Sequence, residues 1–92
     1  MDKIFLITYD LKDPRKDYSK LYDAIKNEGE WRHVLESTWL IKTNPNNCAN
    51  LIYKNIKPTI SEDECLFIVD ITGCQQSGWI SKNTWKWLKN NK

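Results

Sequence analysis

Two short runs of branched and aromatic residues set the frame of this chain: KIFLITYD at residues 3–10 and CLFIVDIT at residues 65–72. Both are too short for a surface helix and are bounded by charge or turn residues, so both read as buried strands. Between them the period of the pattern changes. Asp17 stands as an N-cap for a helix running to about Glu28, with Gly29 as its C-terminal stop. Tyr18, Leu21, Tyr22 and Ile25 make its apolar stripe, and Lys20, Asp23 and Lys26 fall on the outer face. Glu30–Thr43 is extended in character, and strict alternation puts Trp31, His33, Leu35, Ser37, Trp39 and Ile41 on one face. This segment is longer than a usual strand, so a break or bulge is expected near Glu36-Ser37.

The second half repeats the alternation of element types. Asn44–Asn47 is a turn, followed by a helix over about Cys48–Lys57 with Cys48, Leu51, Ile52 and Ile56 facing inward; Pro58 stops it. Gly73–Gly78 is a loop, and Ser81 caps a last helix over about Lys82–Asn90. The order strand, helix, broken strand, helix, strand predicts an α+β split β-α-β sandwich of residues 1–92 as one domain, both central helices on one sheet face. The other face needs cover. Either residues 79–92 form a strap across it, or a second copy pairs there, and a homodimer built on that face is the expectation.

Composition limits what such a domain does. Hydrophobic residues are 40% and charged residues 28% of the 92, an ordinary globular balance that argues against disorder. Fourteen Lys/Arg against twelve Asp/Glu leave a net +2, which excludes holding nucleic acid by bulk charge alone. The cysteines, Cys48, Cys65 and Cys74, are odd in number and form no C-x-x-C pair, and His33 is the single histidine. A structural zinc site and a disulfide-stapled secreted module are therefore not expected. No signal peptide or membrane span is recognised, so a cytoplasmic protein without a membrane partner is expected.

Few residues nominate chemistry by themselves. Tyr9-Asp10 closes the first strand and opens a loop carrying Lys12, Arg15 and Lys16: a carboxylate suited to a divalent cation, with nearby cations suited to phosphate. A turn cap or an ion pair would use the same Asp10. Asp70 interrupts the second apolar run and either pairs, joins an ion site, or points to solvent from an edge strand. Five tryptophans are far above average usage, and their rings suit base stacking or a protein interface. Lys82, Lys86 and Lys89 make a stripe on the last helix, and Trp85 and Leu88, on a flank opposite most of that charge, are expected to be buried. No nucleophile elbow, P-loop or dinucleotide motif occurs.

The Tyr9-Asp10 strand end, the Gly29–Trp39 run (G-x-W-x-x-x-x-E-S-T-W) and the Gly78–Leu88 run (G-W-I-x-K-x-x-W-x-W-L) resemble the SinR-like group of small bacterial and phage proteins. That group is similar to the second CRISPR-associated protein and to the virulence-associated protein D toxins. The resemblance implies a ferredoxin-like β-α-β-β-α-β fold with a C-terminal helical appendage, a homodimer, and a split of the long extended segment into two strands at Glu36-Ser37. In the nuclease-active relatives the aspartate matched by Asp10 holds magnesium or manganese, shared across the dimer axis; many relatives that keep it are non-catalytic.

The resulting expectation is a homodimer that binds RNA, DNA or a signalling nucleotide. Tyr9, Lys12, Arg15, Lys16, Ser37 and Trp39 would meet the nucleotide and its phosphate, and Asp10 would hold the metal if the protein is a phosphodiesterase. The alternatives are a non-catalytic, nucleotide-sequestering phage counter-defence protein and a toxin–antitoxin or CRISPR-associated interaction module.

Overall fold

The computed structural model describes residues 2–13 and 15–91. Its elements, in order, are strand β1 (Lys3–Asp10), helix α1 (Ser19–Lys26), strands β2 (Glu30–Leu35) and β3 (Thr38–Thr43), helix α2 (Ala49–Ile56), a 3-10 turn (Lys57–Thr59), strand β4 (Cys65–Asp70) and helix α3 (Lys82–Asn90). The four strands form one antiparallel sheet in the order β2-β3-β1-β4. This is an α+β architecture with α1 and α2 on one sheet face and α3 on the other.

Alternation along β1 sorts the two faces. Phe5, Ile7 and Tyr9 point toward α1 and α2 and join Trp39, Ile41, Leu21, Ile25, Ile52 and Ile56 in the main core. Leu21, Ile25, Ile52 and Ile56 are fully buried, each of the kind whose burial contributes roughly 1.5–3 kcal/mol. Ile4, Leu6 and Leu40 point the other way, where Trp87 and Leu88 of α3 cover them. The C-terminal segment thus takes most of the surface expected to pair with a second copy. On that face, Leu35 and Phe67, which pairs with Thr8, stay exposed.

The long extended segment breaks at Glu36-Ser37, and β2 and β3 form a hairpin there. A register shift between His33 and Leu35 makes Leu35 the partner of Thr38. Trp31, His33, Trp39 and Ile41 keep the alternation, but Leu35 leaves their face, because a bulge adds one residue to the count. Gly29 lies where the chain enters this hairpin. A Cβ there would stand 2.1 Å from the Lys42 carbonyl oxygen, so only glycine permits the approach.

Three local expectations change. Asp17 does not cap α1 in the usual way; its Oδ1 accepts from Ser19 N at 2.9 Å while Tyr18 occupies the cap position. Cys48 and Leu51 do not face inward: Ile52 and Ile56 alone of α2 are fully buried, since the short helix presents a single narrow stripe. Trp85 is half-buried, and Trp87 takes the buried position beside Leu88. Ser81 caps α3 as read, its hydroxyl accepting from Thr84 N. The three cysteines are free and exposed. Among the described residues, no helix is long and apolar enough to cross a membrane.

Candidate functional site

The carboxyl end of β1 opens into a cleft of about 600 Å³, a size suited to a small ligand. Its floor is set by sheet registry. Tyr9 N bonds the Ser37 carbonyl at 3.2 Å, and Thr8 Oγ1 donates to the same oxygen at 3.1 Å, which ties the β2–β3 turn against β1. Trp39 Nε1 donates to Tyr9 Oη at 3.0 Å, and Tyr9 Oη donates to the Glu36 carbonyl at 3.4 Å. Burial pushes the Tyr9 phenol above its ordinary pKa, so it stays neutral and keeps both bonds. Tyr9, Tyr18 and Tyr22 line the cleft with Ser37 and Glu36.

Beneath the cleft lies an aromatic cluster. The His33 ring stacks on Trp39 with centroids 4.0 Å apart and planes 10° apart, while Tyr22 and Trp31 approach Trp39 at 5.9 and 5.4 Å. His33 Nε2 lies 3.0 Å from the Glu36 carbonyl oxygen. Trp39 itself is 1% exposed. It orients Tyr9 from below and presents no free ring face to a ligand.

The loop cations divide. Lys16 lines the cleft, and its Nζ bonds Ser61 Oγ at 3.0 Å. Lys12 turns to Asp10, Nζ to Oδ2 at 3.0 Å, and that pairing holds the ammonium above its ordinary pKa. Arg15 is almost fully exposed, 3.7 Å from Asp13, and does not line the cleft. Asp10 lines it together with Asp13 and Asp17, so acidic side chains outnumber the single lining cation.

Asp10 belongs to no cluster of metal-ligating side chains among the described residues. Its nearest charged partner is Lys12, and among the described residues no three His, Cys, Asp or Glu side chains converge to hold an ion. A hard cation needs several oxygen donors. Asp70 ends edge strand β4 and points to solvent, accepting from Thr72 N at 2.9 Å; the Thr72 hydroxyl and then its amide hold the carboxyl below its ordinary pKa.

The residue that organises the loop was not singled out by its sequence context. Glu64 is buried, and its carboxylate accepts from Ser61 N at 2.8 Å, from the Tyr18 hydroxyl, and from Lys12 N at 3.0 Å, with Lys16 Nζ 3.9 Å away. It ties the β1–α1 loop to the approach to β4. These donors, the Ser61 amide and Tyr18 hydroxyl foremost, hold its pKa at about 2, against an ordinary 4.5. The folded chain therefore refuses a proton that the unfolded chain accepts. Stability from Glu64 is complete above about pH 4.5 and is lost as the pH falls toward 2. Glu64→Gln is expected to lower Tm at neutral pH and to flatten the fall of Tm over that window. An acid profile identical to that of the parent would refute the assignment.

Comparison of the chain with protein-family models, curated proteins and solved structures finds no match.

Proposed function

We propose that the chain is a ferredoxin-like, SinR-like homodimer that binds a nucleotide or nucleic acid, with the β1-end cleft as its nucleotide pocket. The observation that carries the reading is the lining of that cleft: three tyrosines, the Lys16 ammonium and several carboxylates within about 600 Å³. Aromatic walls suit a base, one cation suits a phosphate, and carboxylates accept from sugar hydroxyls or exocyclic amines. The excess of acid over base favours a ligand with few phosphates.

Calorimetric titration with the common nucleoside monophosphates tests this. Binding is expected, and Lys16→Ala should weaken it about tenfold, the value of one charge-assisted bond. Absence of binding by the parent protein at millimolar ligand, or indifference to Lys16→Ala, would overturn it.

A catalytic reading rests on the Asp10 carboxylate, whose side chain is 67% exposed beside Thr8 and Phe67, at the end of the face that α3 leaves open. In this version two copies bring their Asp10 residues together around magnesium or manganese and act as a phosphodiesterase. A protein that is monomeric by light scattering, or metal-dependent cleavage that survives Asp10→Asn, would remove it and leave the non-catalytic binder.

A further inference from the structure

We infer that the groove between edge strand β2 and helix α3 is a track for single-stranded nucleic acid, separate from the cleft at the end of β1. The inference rests on the proposed nucleotide-binding reading and assigns the polymer to a second surface. The groove encloses about 780 Å³. Its charge is opposite in sign to that of the cleft. Arg32, Lys42 and Lys86 line it, against Glu30 alone. Glu30 is already engaged, its Oε1 accepting from Trp87 Nε1 at 2.6 Å, and Lys42 has a looser partner in Asp2 at 3.7 Å.

Three features suit an unpaired strand. Lys82, Lys86 and Lys89 recur on the exposed face of α3, so positive charge continues along the helix beyond the groove. Trp31, 39% exposed, borders the groove at the β2 edge, its ring turned to the α1 face with the Lys26 ammonium 4.8 Å from its centroid, so a base reaches this aromatic surface over the strand edge. Stacking on such a ring needs a base that is out of a duplex. Finally, β2 is an edge strand, bonded only to β3, so its outer backbone donors and acceptors face outward for base edges. The Arg32 guanidinium sits 5.3 Å from the Trp87 ring centroid, and its Nη1 donates to the Trp31 carbonyl at 2.9 Å, which fixes a cation at mid-groove.

The net charge of +2 conceals this separation. Acid collects at the β1 cleft and base along the β2–α3 edge, so a polyanion is steered to the latter.

Fluorescence anisotropy with labelled dT and U dodecamers at low salt tests the inference. The parent protein is expected to bind both, with an affinity that falls roughly tenfold or more between 50 and 200 mM salt if about three phosphates are met. The double variant Lys82→Glu/Lys86→Glu, on exposed positions of α3, should weaken binding at least about tenfold. Lys20→Glu/Lys54→Glu, an equal charge change on exposed positions of α1 and α2, should leave it unchanged. The Lys82→Glu/Lys86→Glu variant should bind nucleoside monophosphates like the parent. Three results would overturn the groove assignment: no oligonucleotide binding by the parent, equal loss in Lys20→Glu/Lys54→Glu, or loss in Lys16→Ala with none in Lys82→Glu/Lys86→Glu. Monophosphate binding that persists in any of these cases leaves the nucleotide pocket standing, and its absence removes that pocket separately.

Discussion

Trp39→Ala is expected to destabilise the protein by about 3–5 kcal/mol, the range for emptying a buried tryptophan site. Trp39 is 1% exposed and lies at the centre of the β1–β3 half of the sheet, in contact with His33, Tyr22 and Trp31. Its removal leaves a cavity against Tyr9 and takes the indole donor from the Tyr9 hydroxyl. Trp39→Phe separates the two effects. It keeps most of the ring volume and loses the hydrogen bond, and should cost about 1 kcal/mol for the bond plus a smaller cavity penalty. Urea unfolding followed by far-UV circular dichroism gives both numbers. A loss below about 1 kcal/mol for Trp39→Ala would contradict the packing described for the β1-end cleft.

The second large effect is expected at α3. Trp87 is 5% exposed and Leu88 4%, and together they cover Ile4 and Leu40. Trp87→Ala should cost about 3–5 kcal/mol, lowering Tm by more than about 10 °C in a domain of this size. Trp85→Ala should cost clearly less, because Trp85 is half-buried at the flank of the same cluster. Removal of residues 79–92 should be more damaging than either substitution, since it uncovers the whole apolar strip of Ile4, Leu6 and Leu40. Differential scanning calorimetry of the three variants orders them. A truncated chain with the parental Tm would show that α3 contributes nothing to the fold.

Much of this architecture was legible because short-range signals agreed with one another. The two apolar runs became β1 and β4, the 3.6-residue stripe of Leu21 and Ile25 became α1, and Ser81 capped α3 where the pattern placed it. The break at Glu36-Ser37 was also readable, as the most polar point in a segment too long to be one strand. Leu35 was misplaced because the one-residue bulge pairs it with Thr38 and turns it away from the face of Trp31 and His33, and nothing in local composition marks which residue is added. The exchange of Trp85 for Trp87 has a similar cause. Thr84, Trp87 and Leu88 lie within about one third of a turn of one another, while Trp85 lies about 100° away from Thr84. Only the position of the sheet decides which of these arcs is buried.

The site was legible in part. Tyr9, Asp10, Lys16 and Ser37 come together around one cleft, whereas Lys12 is drawn aside to Asp10 and Arg15 extends into solvent. Glu64 escaped notice because, apart from the nearby Ser61 amide, its partners Lys12, Lys16 and Tyr18 are more than forty residues away in the chain.

By itself the sequence determined the kinds and order of the elements, since those follow from periodicity, capping and turn chemistry within a few neighbouring residues. It also determined that a second apolar sheet face must be covered, because alternation in β1 leaves Ile4 and Leu6 opposite Phe5 and Ile7. Tertiary structure alone decided that α3 supplies most of that cover and that one buried carboxylate, Glu64, locks the β1–α1 loop. It alone sorted acid to the β1 cleft and base to the β2–α3 edge. Those outcomes depend on contacts between residues far apart in the chain, whose geometry is set only once the sheet has closed.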